Sequence, residues 1–177
     1  MLTLGIVNTY DKIKVLDAHY RAIARAAPIC YAFGFHLALY DFPFKLTAEE
    51  LVAYVMEKTT IGESGSYLKI LYEKNHLSVS DLPKKGFPSQ FGEIVITTSK
   101  PDPKRQVTPV KIAEEALRSR SFLFLIGLGH KGLPKELFER GKYHLDITCK
   151  GLSFETCTAI GAIPAYLSGL MANLETK

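Results

Sequence analysis

The sequence has 177 residues, a length that suits one domain, and its 47% apolar and 23% charged residues are those of a chain that buries a core, which excludes wholesale disorder. Its 22 basic and 18 acidic residues leave a net charge of +4; 10 basic oppose 9 acidic residues up to Pro88, and 12 oppose 9 beyond it. That surplus permits a phosphate-bearing partner but excludes binding to nucleic acid through charge alone.

Cys30, Cys149 and Cys157 are odd in number and lack C-x-x-C spacing, which argues against a disulfide framework or a zinc site. All three are expected as small buried hydrophobes in a reduced, cytoplasmic protein. His19, His36, His76 and His144 have no ligand spacing, so no metal is expected. The N-terminal MLTLGIV run has no basic region before it and does not read as a signal peptide.

Strand and helix patterns alternate from the start. Leu2–Val7 is a short apolar strand. A helix follows over Asp17–Gly34, with Ile23, Ala26, Ala27 and Cys30 at helical spacing, Pro28 expected to bend or split it, and Gly34 as its stop. His36–Tyr40 reads as a second strand, and Thr47 with Glu50 forms a capping box opening a helix to about Lys58. The IGESGS stretch at 61–66 reads as a loop, Tyr67–Asn75 as a helix, and the segment to Gly92 as turn-rich. Glu93–Thr98 is β-branched and strand-like, and Thr108-Pro109 caps a helix to about Arg120. Phe122–Ile126 (FLFLI) is the most apolar strand, as expected at the centre of a parallel sheet. A short helix over Leu133–Arg140, a strand over Tyr143–Thr148 and a final helix capped by Ser153 complete the chain. The order predicts an α/β fold: a mostly parallel sheet of five to six strands with helices on both faces, as a single domain over 1–177.

The stretch Thr156–Leu174 has no charged residue and nearly the length of a membrane span. Its hydroxyls, Asn173, Tyr166 and Pro164, flanked by Glu155 and Glu175 without a basic anchor, favour a helix buried on most sides within protein and no membrane. Ala159, Ala162, Ala165 and Gly169 allow close approach while Ile160, Ile163, Leu167 and Leu170 supply bulk, which predicts a homodimer through this helix.

Gly127-Leu128-Gly129-His130-Lys131-Gly132 directly follows the most apolar strand, where ligands of parallel sheets gather. As a G-x-G-x-x-G pattern it admits a nicotinamide-dependent oxidoreductase. That reading is weakened because Leu133-Pro134 restarts the chain, and only 45 residues follow Gly132. No G-K-[ST] follows, so a Walker loop is excluded. Asp146 could meet a ribose, although an alternating strand turns it to solvent more simply.

Three segments resemble the motifs of the SPOUT superfamily, the knotted S-adenosylmethionine-dependent RNA methyltransferases. The helix HYRAIARAA running to Ala32-Phe33-Gly34 matches the first motif at Arg25 and departs at His19 and Arg21. FLFLIGLGHKGL fits the second, with Gly129 where a glutamate usually stands. Ser153-Phe154-Glu155 and the following small-residue helix fit the third, with Glu155 in place of an asparagine. The whole chain is similar to an archaeal branch of that superfamily.

The resemblance implies a trefoil knot over about 122–177 and S-adenosylmethionine held by Gly127, Leu128, Gly129, Gly132, Leu133, Ile147, Leu152, Ser153 and Thr158. It places Arg25 and Glu155 in catalysis and sets Arg21, His130 and Lys131 toward an RNA substrate, tRNA or rRNA. The substitutions Gly129 and Glu155 keep open a non-catalytic RNA-binding or regulatory protein on the same fold.

Overall fold

The computed structural model describes residues 1–58 and 64–176. In chain order its elements are β1 (Leu2–Asn8), α1 (Asp17–Ala32), β2 (His36–Tyr40), α2 (Ala48–Lys58), α3 (Ser64–Glu73), β3 (Leu77–Ser80), a 3-10 turn (Ser89–Phe91), β4 (Glu93–Thr97), β5 (Gln106–Val107), α4 (Pro109–Leu117), β6 (Phe122–Leu128), α5 (Lys135–Arg140), β7 (Tyr143–Leu145) and α6 (Thr156–Glu175). The strands form one sheet in the order β3-β2-β1-β6-β4-β7-β5, and every pairing is parallel.

This is the predicted α/β architecture with seven strands rather than five to six. The two additions are the edges β3, of four residues, and β5, of two, both too short to show a period. Part of the loop expected at 61–66 lies outside the described residues; from Ser64 onward the chain is already α3.

β6 lies at the centre of the sheet, and its pleat explains the FLFLI run. Phe122, Phe124 and Ile126 enter one core cluster, while Leu123 and Leu125 enter another on the opposite face. A strand covered on both sides needs apolar residues at every position, each contributing roughly 1.5–3 kcal/mol on full burial. The first cluster gathers side chains from α1, α2, α3, α4 and α6, whereas the second is covered by α5, the 3-10 turn and the segment around Leu82 and Phe87. Gly5 of β1 is required there, since a Cβ would fall 2.8 Å from Leu125 and 3.3 Å from the Tyr40 ring.

Local signals held where the chemistry was local. Thr47 and Glu50 form the reciprocal capping box, with 2.7 Å and 3.2 Å hydrogen bonds. Thr108 accepts from the Lys111 amide. Pro28, by contrast, does not split α1, which runs unbroken to Ala32. Packing of Ala22, Ile23, Ala26, Ala27 and Cys30 into the main core outweighs the one backbone bond that proline removes.

α6 has the length and apolar composition to cross a membrane. It packs one face into the core through Ile160, Ile163 and Leu167, while Tyr166 stays half-exposed. A single chain therefore covers one side of this helix, not most of them. The cysteines divide as well: Cys30 is buried, but Cys157 is half-buried and Cys149 exposed.

Candidate functional site

A cleft of about 620 Å³ opens at the carboxyl ends of β1, β4, β6 and β7. It is lined by Tyr10, residues 97–99, the glycine loop 126–133, residues 145–147 and residues 152–156. A cavity of this size at this end of a parallel sheet is where a small molecule binds in such folds.

The glycine loop owes its glycines first to its own chain. A Cβ on Gly127 would collide with the backbone of Gly132 and Leu133. Gly132 has φ +65° and Gly129 φ +139°, regions that L side chains avoid. The loop is tied down from two sides. Thr9 donates its amide and its hydroxyl to the Leu128 carbonyl, both at 3.0 Å, and the Thr156 hydroxyl donates to the Gly127 carbonyl at 3.1 Å.

Asp146 corrects the expectation that it points to solvent. It is 7% exposed, and its carboxylate accepts from the Thr148 amide (2.9 Å), the Thr148 hydroxyl (2.6 Å) and the Gly151 amide (2.7 Å). Strand alternation fails as a guide because β7 ends at Leu145 and Asp146 begins an Asx-type turn. Burial pushes its carboxyl upward, but the Thr148 hydroxyl and the loop amides outweigh this and hold it below the usual carboxylate range. The turn shapes the loop that carries Ile147 and Leu152 to the cleft.

Ser153 does not cap the last helix. Glu155 is the N-cap, its Oε2 accepting from the amides of Cys157 (2.9 Å) and Thr158 (3.3 Å). A carboxylate there accepts the free amides and is also favoured by the helix dipole. Its Oε1 has no protein partner among the described residues. Glu155 and Ser153 both line the cleft, whereas Thr158 does not and its amide is spent on the cap.

His130 and Lys131 are exposed on the lining loop, as a substrate-facing pair requires. Arg25 and Arg21 stand outside the cleft on α1. Arg25 donates from Nη1 to Cys157 Sγ at 3.1 Å, placing it against the N-terminus of α6. Arg21 pairs with Asp17 at 3.1 Å on an exposed face.

His19 explains its departure from the first motif. It is fully buried, its Nδ1 accepts from the Leu16 amide at 2.9 Å, and its Nε2 lies 3.1 Å from Asn8 Oδ1. It starts α1 and braces the β1–α1 loop. Thr97, Thr98 and Ser99, at the end of β4, were missed as lining residues. The legible signal was a run of hydroxyls at a strand's carboxyl end. Tyr10 was missed too, and no sequence pattern marks it; Phe154, within the third motif, also lines the cleft.

Residues 2–168 match the family described as "Protein of unknown function (DUF531)". The chain belongs to this family. It is 49% identical over 166 residues to Uncharacterized protein MJ0224 of Methanocaldococcus jannaschii, covering 94% of this chain and 92% of that one. In fold it is similar to the probable methyltransferase of Bordetella pertussis, with a TM-score of 0.66 at 15% identity over 96% of this chain and 95% of that one. It is also similar to the TrmH/SpoU tRNA modifying enzyme of A. aeolicus, with a TM-score of 0.56 at 17% identity over 99% and 77%. The DUF531 chain thus has the SPOUT fold that its three motifs resemble.

Proposed function

We propose that this protein is an S-adenosylmethionine-dependent RNA methyltransferase, acting on tRNA or rRNA as a soluble cytoplasmic homodimer. The observation that carries this is the cleft assembled from the glycine loop, the Asp146 turn and the Glu155-capped helix start, on a fold shared with methylases.

The lining suits that cofactor. Ile126, Leu128, Leu133 and Ile147 give an apolar slot for an adenine ring, and Thr97–Ser99, Ser153 and backbone groups give polar partners for its edges. The uncommitted oxygen of Glu155 complements a sulfonium, and the absence of a Walker lysine suits a ligand without phosphate. Gly127, Leu128, Gly129, Gly132, Leu133, Ile147, Leu152 and Ser153 would hold the cofactor, with a trefoil knot proposed over about 122–177. When bound, it supplies an electrophilic methyl group.

Arg25 then orients the acceptor strand, since a guanidinium stays charged and grips phosphate in a fork. Arg21 is a weaker candidate for RNA contact because Asp17 already neutralises it.

The test is a melting scan with S-adenosylmethionine and with NAD, followed by methyl transfer from labelled donor to total RNA. Donor at 100 times its dissociation constant stabilises by about 2.7 kcal/mol. A shift with NAD alone, or with neither compound, overturns the proposal. A nicotinamide site fits poorly, because α5 has six residues and begins only after Pro134.

A second reading, a non-catalytic RNA-binding or regulatory protein on the same fold, is favoured by Glu155 acting as a helix cap; it requires RNA binding without methyl transfer. The exposed flank of α6 supports a homodimer, and a light-scattering mass near 19.7 kDa at micromolar concentration would refute it.

A further inference from the structure

Among the described residues, five Tyr and Phe side chains are exposed: Tyr10, Tyr31, Phe33, Phe154 and Tyr166. Of these, Tyr10 and Phe154 line the cleft. Tyr10 is 52% exposed, and Phe154 is 42% exposed. They come from different loops, β1–α1 and β7–α6, and line the same cleft.

The β1–α1 loop is unusually well braced for a connection that carries exposed apolar surface. The Asn8 amide nitrogen donates to the carbonyls of Asp11 and Asp41, at 2.7 Å and 2.9 Å, while Asn8 Oδ1 accepts from the Tyr10 amide at 3.1 Å. Asp11 Oδ1 accepts from the amides of Ile13 and Lys14, and Lys12 pairs with Asp41 at 2.8 Å. The buried His19 ring meets the Tyr10 ring edge-on at 6.0 Å. The Tyr10 backbone is thus fixed, and its ring packs against His19 while about half of its surface stays exposed at the cleft. Ordering a ring before its partner arrives removes an entropic cost from binding.

We propose that Tyr10 is a stacking platform for an unpaired nucleobase of the RNA substrate, with Phe154 as a second ring lining the same cleft. The inference rests on the RNA reading above and deepens it. Enzymes that modify a nucleotide draw it out of its helix and hold the base against aromatic faces. Lys14 and Lys131 lie on the two loops that border this cleft, Lys12 being already paired with Asp41, and a backbone phosphate next to a stacked base finds cations there. A stacking ring needs a π-face and no particular hydrogen bond, so Tyr10→Phe is tolerated and Tyr10→Ala is not.

The chain contains no tryptophan, so Tyr10→Trp introduces a single reporter at the site. The probe is a fluorescein-labelled single-stranded RNA of about 12 nucleotides, with the same strand in a duplex as the comparison. Wild type and Tyr10→Phe should bind it within about twofold of each other by anisotropy. Tyr10→Ala should weaken binding by about 5- to 150-fold, the range that one base–aromatic stack supports. Fluorescence of Tyr10→Trp should be quenched by the unlabelled single strand and much less by the duplex.

The melting shift with S-adenosylmethionine should be unchanged in Tyr10→Ala; a lost shift would assign the ring to the cofactor and overturn the proposal. A fall in light-scattering mass in Tyr10→Ala would assign it to a second copy of the chain, again overturning it. If wild type binds the RNA but Tyr10→Ala binds equally and Tyr10→Trp is not quenched, the platform is refuted while the RNA reading stands. If wild type binds no RNA at all, both fall.

Discussion

Removing the Asp146 carboxylate should loosen the cleft before it unfolds the protein. Asp146→Ala strands the Thr148 amide, the Thr148 hydroxyl and the Gly151 amide, which now donate to the carboxylate at 2.6–2.9 Å. Hydrogen bonds to a charged acceptor contribute about 1.5–3 kcal/mol each, but the freed groups lie near the surface and regain water. A net loss of about 2–4 kcal/mol is therefore expected, and at about 2–4 °C per kcal/mol for a chain of this size the melting temperature falls by about 4–16 °C. Asp146→Asn retains an acceptor for Thr148 and should lose about half as much.

The pH dependence gives a second handle. The folded-state value of Asp146 lies below its ordinary 3.8, so its contribution is complete above that pH and lost as pH falls through the lower folded value. The gap between wild type and Asp146→Ala should be constant from pH 8 to pH 5 and close only below about pH 4. Calorimetric melts across that range test both statements. A variant melting within 1 °C of wild type at pH 7 would refute the assigned role.

Gly127→Ala forces its Cβ into the backbone of Gly132 and Leu133, whereas a Cβ on Gly132 meets nothing but sits at φ +65°. Gly127→Ala should therefore cost about 3 kcal/mol or more and Gly132→Ala about 1–2 kcal/mol by urea unfolding, and the reverse order would refute the steric account. For His19, burial disfavours the charged imidazole and outweighs the raising effects of Asp11 and Leu16; for His36, burial and the neighbouring His76 act together. Both folded values lie below the ordinary 6.5, so stability complete above that pH should fall as pH drops from 6.5 toward 5. An imidazole NMR titration of His19 with a midpoint above 6.5 would contradict this. Protonation would also set a donor on Nδ1 against the Leu16 amide. Arg25→Ala should leave the S-adenosylmethionine melting shift intact and reduce methyl transfer by about 100-fold or more, while Arg21→Ala, which loses a surface pair worth under about 1 kcal/mol, should change little. Equal small effects would return both arginines to the solvated surface.

Several features whose partners lie close along the chain were determined by the sequence alone. The Thr47–Glu50 box, the Thr108 cap and the unbroken apolar run of β6 follow from neighbours along the chain and from the pleat period. The glycine loop was legible as well, because backbone at a strand's carboxyl end must turn, and tight turns call for glycine. Tertiary structure decided the rest. Pro28 stays inside a helix because core packing holds α1 unbroken through it. Edge strands β3 and β5 exist because longer neighbours offer them a ladder. Asp146 turns inward because β7 ends at Leu145, which frees the chain to fold Thr148 and Gly151 back onto the carboxylate. Arg25 meets Cys157 across 132 residues, and Tyr10 and Phe154 line one cleft although 144 positions separate their numbers. No local pattern encodes such meetings, because the free energy that fixes them comes from the whole sheet closing over its core.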